Sequence, residues 1–598
     1  MTAADRLQAL RTYMRQQNLA AVIVPTADTH LSEYLDKHFK LIPYFSGFTG
    51  SAGTLVVTEK QAALWTDSRY WEQAAAQLGD GIVLMKDGEA ATPDEIEWLV
   101  SLNCKGSVGA DASLFSSKAW KKLSERIESE LHSDLRGADP ASAWSERVPQ
   151  TFAEIYEHTV SPRSRKEKLL AVAEKIRSSD GDVLLMASLD DIAWVMNLRG
   201  NDIPHTPVFY SYALIRADGE AELFVKEDRV SSELTEKLSS DGVTLRPYSA
   251  VQQGVSALRE SSAVLLFDPT EINAKLADTE GIRTKEITSP VILLKACKTP
   301  EEIELIAQAM ALDGAALVRF FCWLEKAKET GEETELSVAA KLLEYRRAMP
   351  GFTDVSFDTI AAFGPNGALP HYQASEEAFS EIRGDGFLLI DSGAQFPGGT
   401  TDITRTVPVG TVSDAMIQDY TAVLRGHIRL AATKFPEGIS SQAIDAVARE
   451  PLWSLLCDYG HGTGHGVGFF LNVHEGPQRI SYPRLNGKDA TVRAETAMRV
   501  GMVTSDEPGL YRPGRWGIRI ENLVANEVAG TSEFGNFLQF RTLTLCPYEL
   551  SCCDTSKLLP DEKAWLNAYH EEVRTKLSPF FVEEPEVLCW LNDKTRPI

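Results

Sequence analysis

Apolar runs of four to six residues punctuate the first half of the chain, each bounded by polar or turn-forming residues. Within Met1–Leu19, Leu7, Leu10 and Met14 alternate with Asp5, Arg6, Arg11 and Arg15, the pattern of an amphipathic helix. Ala20–Pro25 reads as a strand. Thr54–Val57 and Ala62–Trp65 flank the polar quartet Thr58–Gln61 and predict a hairpin. A helix near Tyr70–Leu78, a strand at Val108–Ala110 and a helix from Ser117 follow. The order then recurs. After the polar, basic stretch Ser161–Lys166 come a helix, strand Val183–Met186, helix Asp191–Met196, a hairpin over Tyr210–Phe224 turning at Asp218-Gly219, and strand Val264–Phe267. The pattern predicts one α/β architecture used twice, with little residue identity between the copies.

A third pattern starts near Lys298. Thr299-Pro300-Glu301-Glu302 combines a threonine cap, proline at the first helical position and glutamate three residues after the cap, a capping box that opens a helix. Long helices are predicted to Met349, then a strand-rich, glycine-rich region to Leu545. Leu558–Ile598 reads as helical, and its Trp565, Tyr569, Phe580, Phe581 and Trp590 predict packing onto the body or onto a second subunit. The expected domains are 1–158, 159–297, 298–545 and 546–598. No apolar run approaches the ~18–20 residues of a membrane span.

Composition narrows the function. The 598 residues include 60 Lys+Arg against 85 Asp+Glu, a formal charge of −25, with 43% hydrophobic residues. That excludes a disordered or collagen-like chain and disfavours nucleic-acid or anionic-membrane partners, which need a basic surface. The eight cysteines form no C-x-x-C pair and predict reduced, buried thiols. The N-terminal segment lacks the apolar run of a secretory signal, so a cytoplasmic location is expected.

Candidate chemistry concentrates in the third region, which holds His371, His461, His465 and His474 of the chain's 11 histidines. In FLLIDSGAQFPGGTTDITRTV, an apolar run leads into Asp391, Phe396–Gly399 form a turn, and a return strand carries Asp402. The two aspartates are expected roughly opposite each other, where carboxylates repel unless a cation lies between them. GMVTSDEPGLYRPGRWGIRIENLV repeats the design, with Glu507 and Glu521 symmetric about Gly514. YGHGTGHGVGFFLNVHEGP has alternating glycines that let backbone approach closely around His461 and His465. Four carboxylates and one imidazole suit two divalent cations, Mn²⁺ first, with Zn²⁺, Co²⁺ or Fe²⁺ as alternatives. Taken singly, Asp391 also reads as a turn residue and Glu521 as the partner of Arg519 in a surface salt pair.

At these residues the chain resembles the pita-bread metallopeptidases, and among them the cytosolic three-domain aminopeptidase P group. The motifs are TDSRYW (Thr66–Trp71), LPHY (Leu369–Tyr372), DSGAQ with TTDITRT, YGHGTGHGVG with NVHEGP, and SDEPG with GIRIEN. The resemblance implies an α/β (α+β) fold in which two creatinase-like domains precede a pseudo-twofold pita-bread domain. It implies Asp391, Asp402, His465, Glu507 and Glu521 as metal ligands, with Asp402 and Glu521 bridging. It implies Glu507 as proton acceptor and donor, and His371 and His474 as residues that contact substrate and stabilise the transition state. His461, Arg69 and Arg519 are implied as substrate-binding, although Arg69 also reads as a structural arginine at a helix start. The implied reaction is hydrolysis of the bond before a penultimate proline in peptides, by a homodimer. Two alternatives remain: a prolidase restricted to X-Pro dipeptides, and a metal-free binding module of the same fold.

Overall fold

The short apolar runs pair into two sheets of one design. β1 (Ala21–Pro25), β2 (Thr54–Thr58), β3 (Ala62–Thr66), β4 (Ile82–Lys86), β5 (Val108–Ala110) and β6 (Leu135–Gly137) lie in the order β4-β3-β2-β1-β5-β6. β7 (Val183–Met186), β8 (Tyr212–Arg216), β9 (Ala221–Val225), β10 (Val243–Pro247), β11 (Val264–Phe267) and β12 (Arg283–Glu286) lie in the order β10-β9-β8-β7-β11-β12. The pairing senses match strand for strand: β1/β2 and β7/β8 are antiparallel, as are β2/β3 and β8/β9, and the remaining pairs are parallel. The repeat anticipated from element order is therefore a repeat of topology. The computed structural model describes residues 2–482 and 496–598. Among these, residues up to Ile292 form one compact unit and those from Leu293 another.

The second unit is itself built from two matching halves. Thr299 caps helix Pro300–Thr330 through the capping box read from sequence, and helix Glu335–Arg347 follows. Three antiparallel strands come next: β13 (Ile360–Phe363), β14 (Gly386–Ser392) and β15 (Ile403–Val409). The second half repeats this with helices Asp414–Ala431 and Asp445–Trp453, then β16 (Gly464–Gly466), β17 (Val503–Asp506) and β18 (Asn522–Ser532), again antiparallel in sequence order. Inner hairpins, 394–400 in the first half and 509–519 in the second, cap the β14–β15 and β17–β18 pairs. In the second hairpin Gly514 has φ +69°. A side chain there meets no atom within 4 Å, so Gly514→Ala tests backbone strain alone. It should cost about 1 kcal/mol in a urea titration, and an unchanged midpoint would show that the turn relaxes.

Two readings are corrected. Helix Pro300–Thr330 is long and apolar enough to cross a membrane, with mean hydropathy 1.5 over its best 18 residues, and 67% of that window is buried inside the protein. It is a core helix whose Asp313 takes a bidentate ion pair from the fully buried Arg346 (2.7 and 3.0 Å). The eight cysteines are all free, but only Cys322, Cys546 and Cys552 are buried, and Cys589 is exposed. The helical tail packs onto its own chain. Leu566, Tyr569, Val573, Leu577, Phe581 and Leu591 join the core of the second unit, with Trp565, Phe580 and Trp590 against it.

Candidate metal centre

Each half of the second unit brings two acids to the junction of its second and third strands. Asp391 lies near the end of β14, and Asp402 immediately precedes β15. The turn at Pro397-Gly398 sets Phe396 opposite Gly399 and Gln395 opposite Thr400. That register places Asp391 opposite Thr404, not Asp402. The two aspartates are diagonal neighbours, a two-residue correction to the expected facing pair. Asp402 falls level with Gly393, where a Cβ would come within 2.0 Å of Ser356 Oγ and 2.1 Å of the Thr401 carbonyl. In the second half the expectation of symmetry fits the register. Asp506 pairs with Asn522 and Gly509 with Arg519, which sets Glu507 level with Glu521.

The two hairpins are sewn together by residues the sequence reading missed. Thr404 donates its hydroxyl to Glu521 Oε2 (2.7 Å) and accepts the Glu521 N–H at its carbonyl (3.1 Å). The fully buried Arg405 donates to the carbonyls of Thr404 (2.9 Å) and Glu521 (2.7 Å). Its other donors reach Asn522 Oδ1 and the carbonyls of Cys546 and Pro547. Thr404 and Arg405 both lie in the TTDITRT motif, but the motif gave them no role, because most partners of Arg405 come from segments more than 100 residues away.

Asp402, His465 and Glu521 each offer a ligand atom, all within 4.8 Å of one another. His465 Nε2 lies 3.6 Å from Asp402 Oδ2 and 3.4 Å from Glu507 Oε1. Its Nδ1 is 2.9 Å from the Gly466 carbonyl, which can only accept, so Nδ1 carries the proton and the Nε2 lone pair faces the acids. Burial, reinforced by Asp391 and Glu507, holds the Asp402 carboxyl well above its ordinary range. Burial and Asp402 do the same to Glu521. Glu507 is pushed up to about 7 by burial, against the pull of Arg519. Burial and neighbouring His474 keep His465 well below the usual imidazole value.

Arg519 is buried, which removes the surface salt pair with Glu521 as a reading. Its guanidinium instead holds Asp391 Oδ2 (2.6 Å), the Tyr511 hydroxyl (2.7 Å) and the Pro370 carbonyl (3.2 Å). Since Tyr511 accepts from Arg519, its proton is directed to His461 Nε2 at 2.8 Å, and His461 Nδ1 donates to the Gly462 carbonyl (2.7 Å). His474 stands edge-on to His465, ring centres 4.4 Å apart. His371 sits in the loop beyond Gly364–Ala368, between Pro370 and Tyr372. Arg69, in the first unit, forks onto Asp67 (2.8 and 2.7 Å).

These residues fit a pair of divalent cations. Among the described residues, the four carboxylates have one guanidinium within hydrogen-bond distance, that of Arg519 on Asp391, which leaves an excess of acid in a buried setting. Asp391 Oδ1 is buried without a hydrogen-bond partner. Hard oxygens with one imidazole are the donor set expected for Mn²⁺, Zn²⁺, Co²⁺ or Fe²⁺.

Comparison with known proteins identifies the family. Residues 304–526 match the model of metallopeptidase family M24, and 536–598 that of the C-terminal region of these peptidases. Residues 6–138 and 146–302 each match a creatinase/prolidase N-terminal domain. These matches make the chain a metallopeptidase of family M24, with two creatinase-like domains ahead of a pita-bread catalytic region. Aminopeptidase P2 of Arabidopsis thaliana is 37% identical over 99% of this chain and 88% of its own. Xaa-Pro aminopeptidase 1 of Dictyostelium discoideum is 36% identical over 100% and 96%. The crystal structure of X-prolyl aminopeptidase from Caenorhabditis elegans, described as a cytosolic enzyme with a di-nuclear active site, superposes with a TM-score of 0.93 at 32% identity, covering 100% of both chains. Within its family the chain belongs to the Xaa-Pro aminopeptidases.

Proposed function

We propose that this chain removes the N-terminal residue from peptides whose second residue is proline, with two divalent cations held by Asp391, Asp402, His465, Glu507 and Glu521. The observation that carries the reading is the buried excess of acid around an imidazole whose lone pair faces it. Asp402 and Glu521, where the two hairpins meet, would hold the cations together with Asp391 on one side and His465 with Glu507 on the other. When bound, the cations supply Lewis acidity, polarising the scissile carbonyl and bringing the ionisation of water toward neutrality. Mn²⁺ is the metal of choice for this oxygen-rich set.

The protein's own groups do the rest. Glu507 accepts a proton from the attacking water and returns one to the leaving nitrogen. His474, beside His465, donates to the oxygen that gains charge. His371 holds the substrate, and the His461–Tyr511–Arg519 chain sets the position of Asp391. Asp391 faces the free α-amine, which accounts for cleavage at the terminus. The bond before proline has no N–H, so recognition rests on the ring and the amine. Domains at 1–158, 159–297, 298–545 and 546–598, a homodimer in the cytoplasm, and peptides rather than nucleic acid or membrane as partners complete the proposal.

The test is an assay of manganese-loaded protein on X-Pro-Y, X-Ala-Y and X-Pro. X-Pro-Y should be cleaved at least about 100-fold faster than X-Ala-Y. Cleavage of X-Pro alone would reassign the chain as a dipeptidase. Purified protein that binds no divalent metal would support the binding-module alternative.

A further inference from the structure

Glu335 opens helix Glu335–Arg347 and is fully buried. Its Oε1 accepts from the Phe363 N–H (2.7 Å) and Asn366 Nδ2 (2.9 Å). Its Oε2 accepts from the Tyr372 hydroxyl (2.8 Å) and the Ser380 N–H (2.6 Å). One carboxylate thus gathers four points along residues 363–380, the segment that carries His371. Every donor named is neutral, and the position at the helix N-terminus suits a negative charge. Burial and this facing carboxylate push the Tyr372 phenol up, which keeps it a donor. On the other side of His371, the Pro370 carbonyl accepts from Arg519 Nη2 (3.2 Å), the same group that holds Asp391. The backbone of His371 is therefore pinned from both flanks, to the acid cluster through Pro370 and to the helix through Tyr372.

We propose that Glu335, acting through the Tyr372 hydroxyl, is a positioning residue that sets the place of His371 over the substrate. The inference rests on the role given to His371 above and adds a residue no motif identifies. The requirement is geometric. A buried hub holding the loop at four points leaves His371 little freedom to shift, and displacements near 1 Å of a substrate-positioning group cost about 100-fold in rate.

The experiment is a double-mutant cycle on metal-loaded protein. Tyr372→Phe removes one hydroxyl and leaves a ring that packs against Ile360, Ala362 and Leu389. It should lower kcat/KM for X-Pro-Y about 10- to 100-fold, with metal content unchanged and the thermal midpoint within about 2 °C. In a His371→Ala background the same substitution should cost less than about twofold, because the group it positions is gone. Glu335→Gln serves as the second variant. Its amide turns a donor toward the Ser380 N–H, so it should show the same dependence on His371. Equal losses in both backgrounds, or no loss in the wild type, would overturn the tether. A His371→Ala variant of normal activity would instead remove the role of His371, and the proposal with it.

Discussion

Glu507→Gln is expected to lower kcat by about 10²–10⁴-fold while both divalent ions stay bound. The glutamine oxygen keeps a lone pair at the position that lies 3.4 Å from His465 Nε2, and Ser505 still donates to it from 3.2 Å. What the amide loses is the capacity to take up and return a proton. Glu507 is suited to that task by its place, a carboxylate among the proposed ligand acids with Oε1 3.4 Å from His465 Nε2. His461 Nδ1, 4.0 Å from Oε2, is engaged by the Gly462 carbonyl and does not replace it. The check is metal analysis beside steady-state kinetics. A variant with full metal content and near-normal rate removes Glu507 as the base, whereas a variant that loses both reports a ligand alone.

Removing the metals with a chelator should destabilise the protein, and more so at pH 8 than at pH 5. In the metal-free chain the carboxyls of Asp402, Glu507 and Glu521 all bind protons more tightly folded than unfolded. For groups with raised folded values, the stabilisation is fully present below the unfolded value near 4 and is lost as pH rises through the folded value. With Glu507 at about 7, that window runs from about pH 4.5 to about pH 7. Glu507 alone accounts for on the order of 3 kcal/mol across it. Bound cations take the place of the protons and cancel the loss. Scanning calorimetry with and without chelator checks this. Equal drops in midpoint at both pH values would mean the acids are neutralised by protein groups instead.

Much of the architecture was readable because local rules carried it. The capping box at Thr299, the hairpin symmetric about Gly514 and the strand–hairpin–strand order of the first two sheets depend on residues close in sequence. The offset of Asp391 from Asp402 was not readable. It depends on which two residues form the turn and on a packing constraint at Gly393 imposed by Ser356 and Thr401. Helix Pro300–Thr330 was underestimated as an apolar stretch, since its interruptions, Asp313 among them, are paid for by distant partners such as Arg346.

From sequence alone came the repeated α/β plan, the acid-bearing hairpins, the glycine-spaced histidines and a family likeness pointing to a dinuclear peptidase. These follow from short-range periodicity, turn chemistry and residue type. Only the folded chain decided that Arg519 holds Asp391 and leaves Glu521 to Thr404, that Arg405 sews the two hairpins together, and that Glu335 grips the loop of His371. Hydrogen bonds between segments 28 to 142 residues apart leave no periodic trace, because their geometry is set by the packing of whole strands and helices.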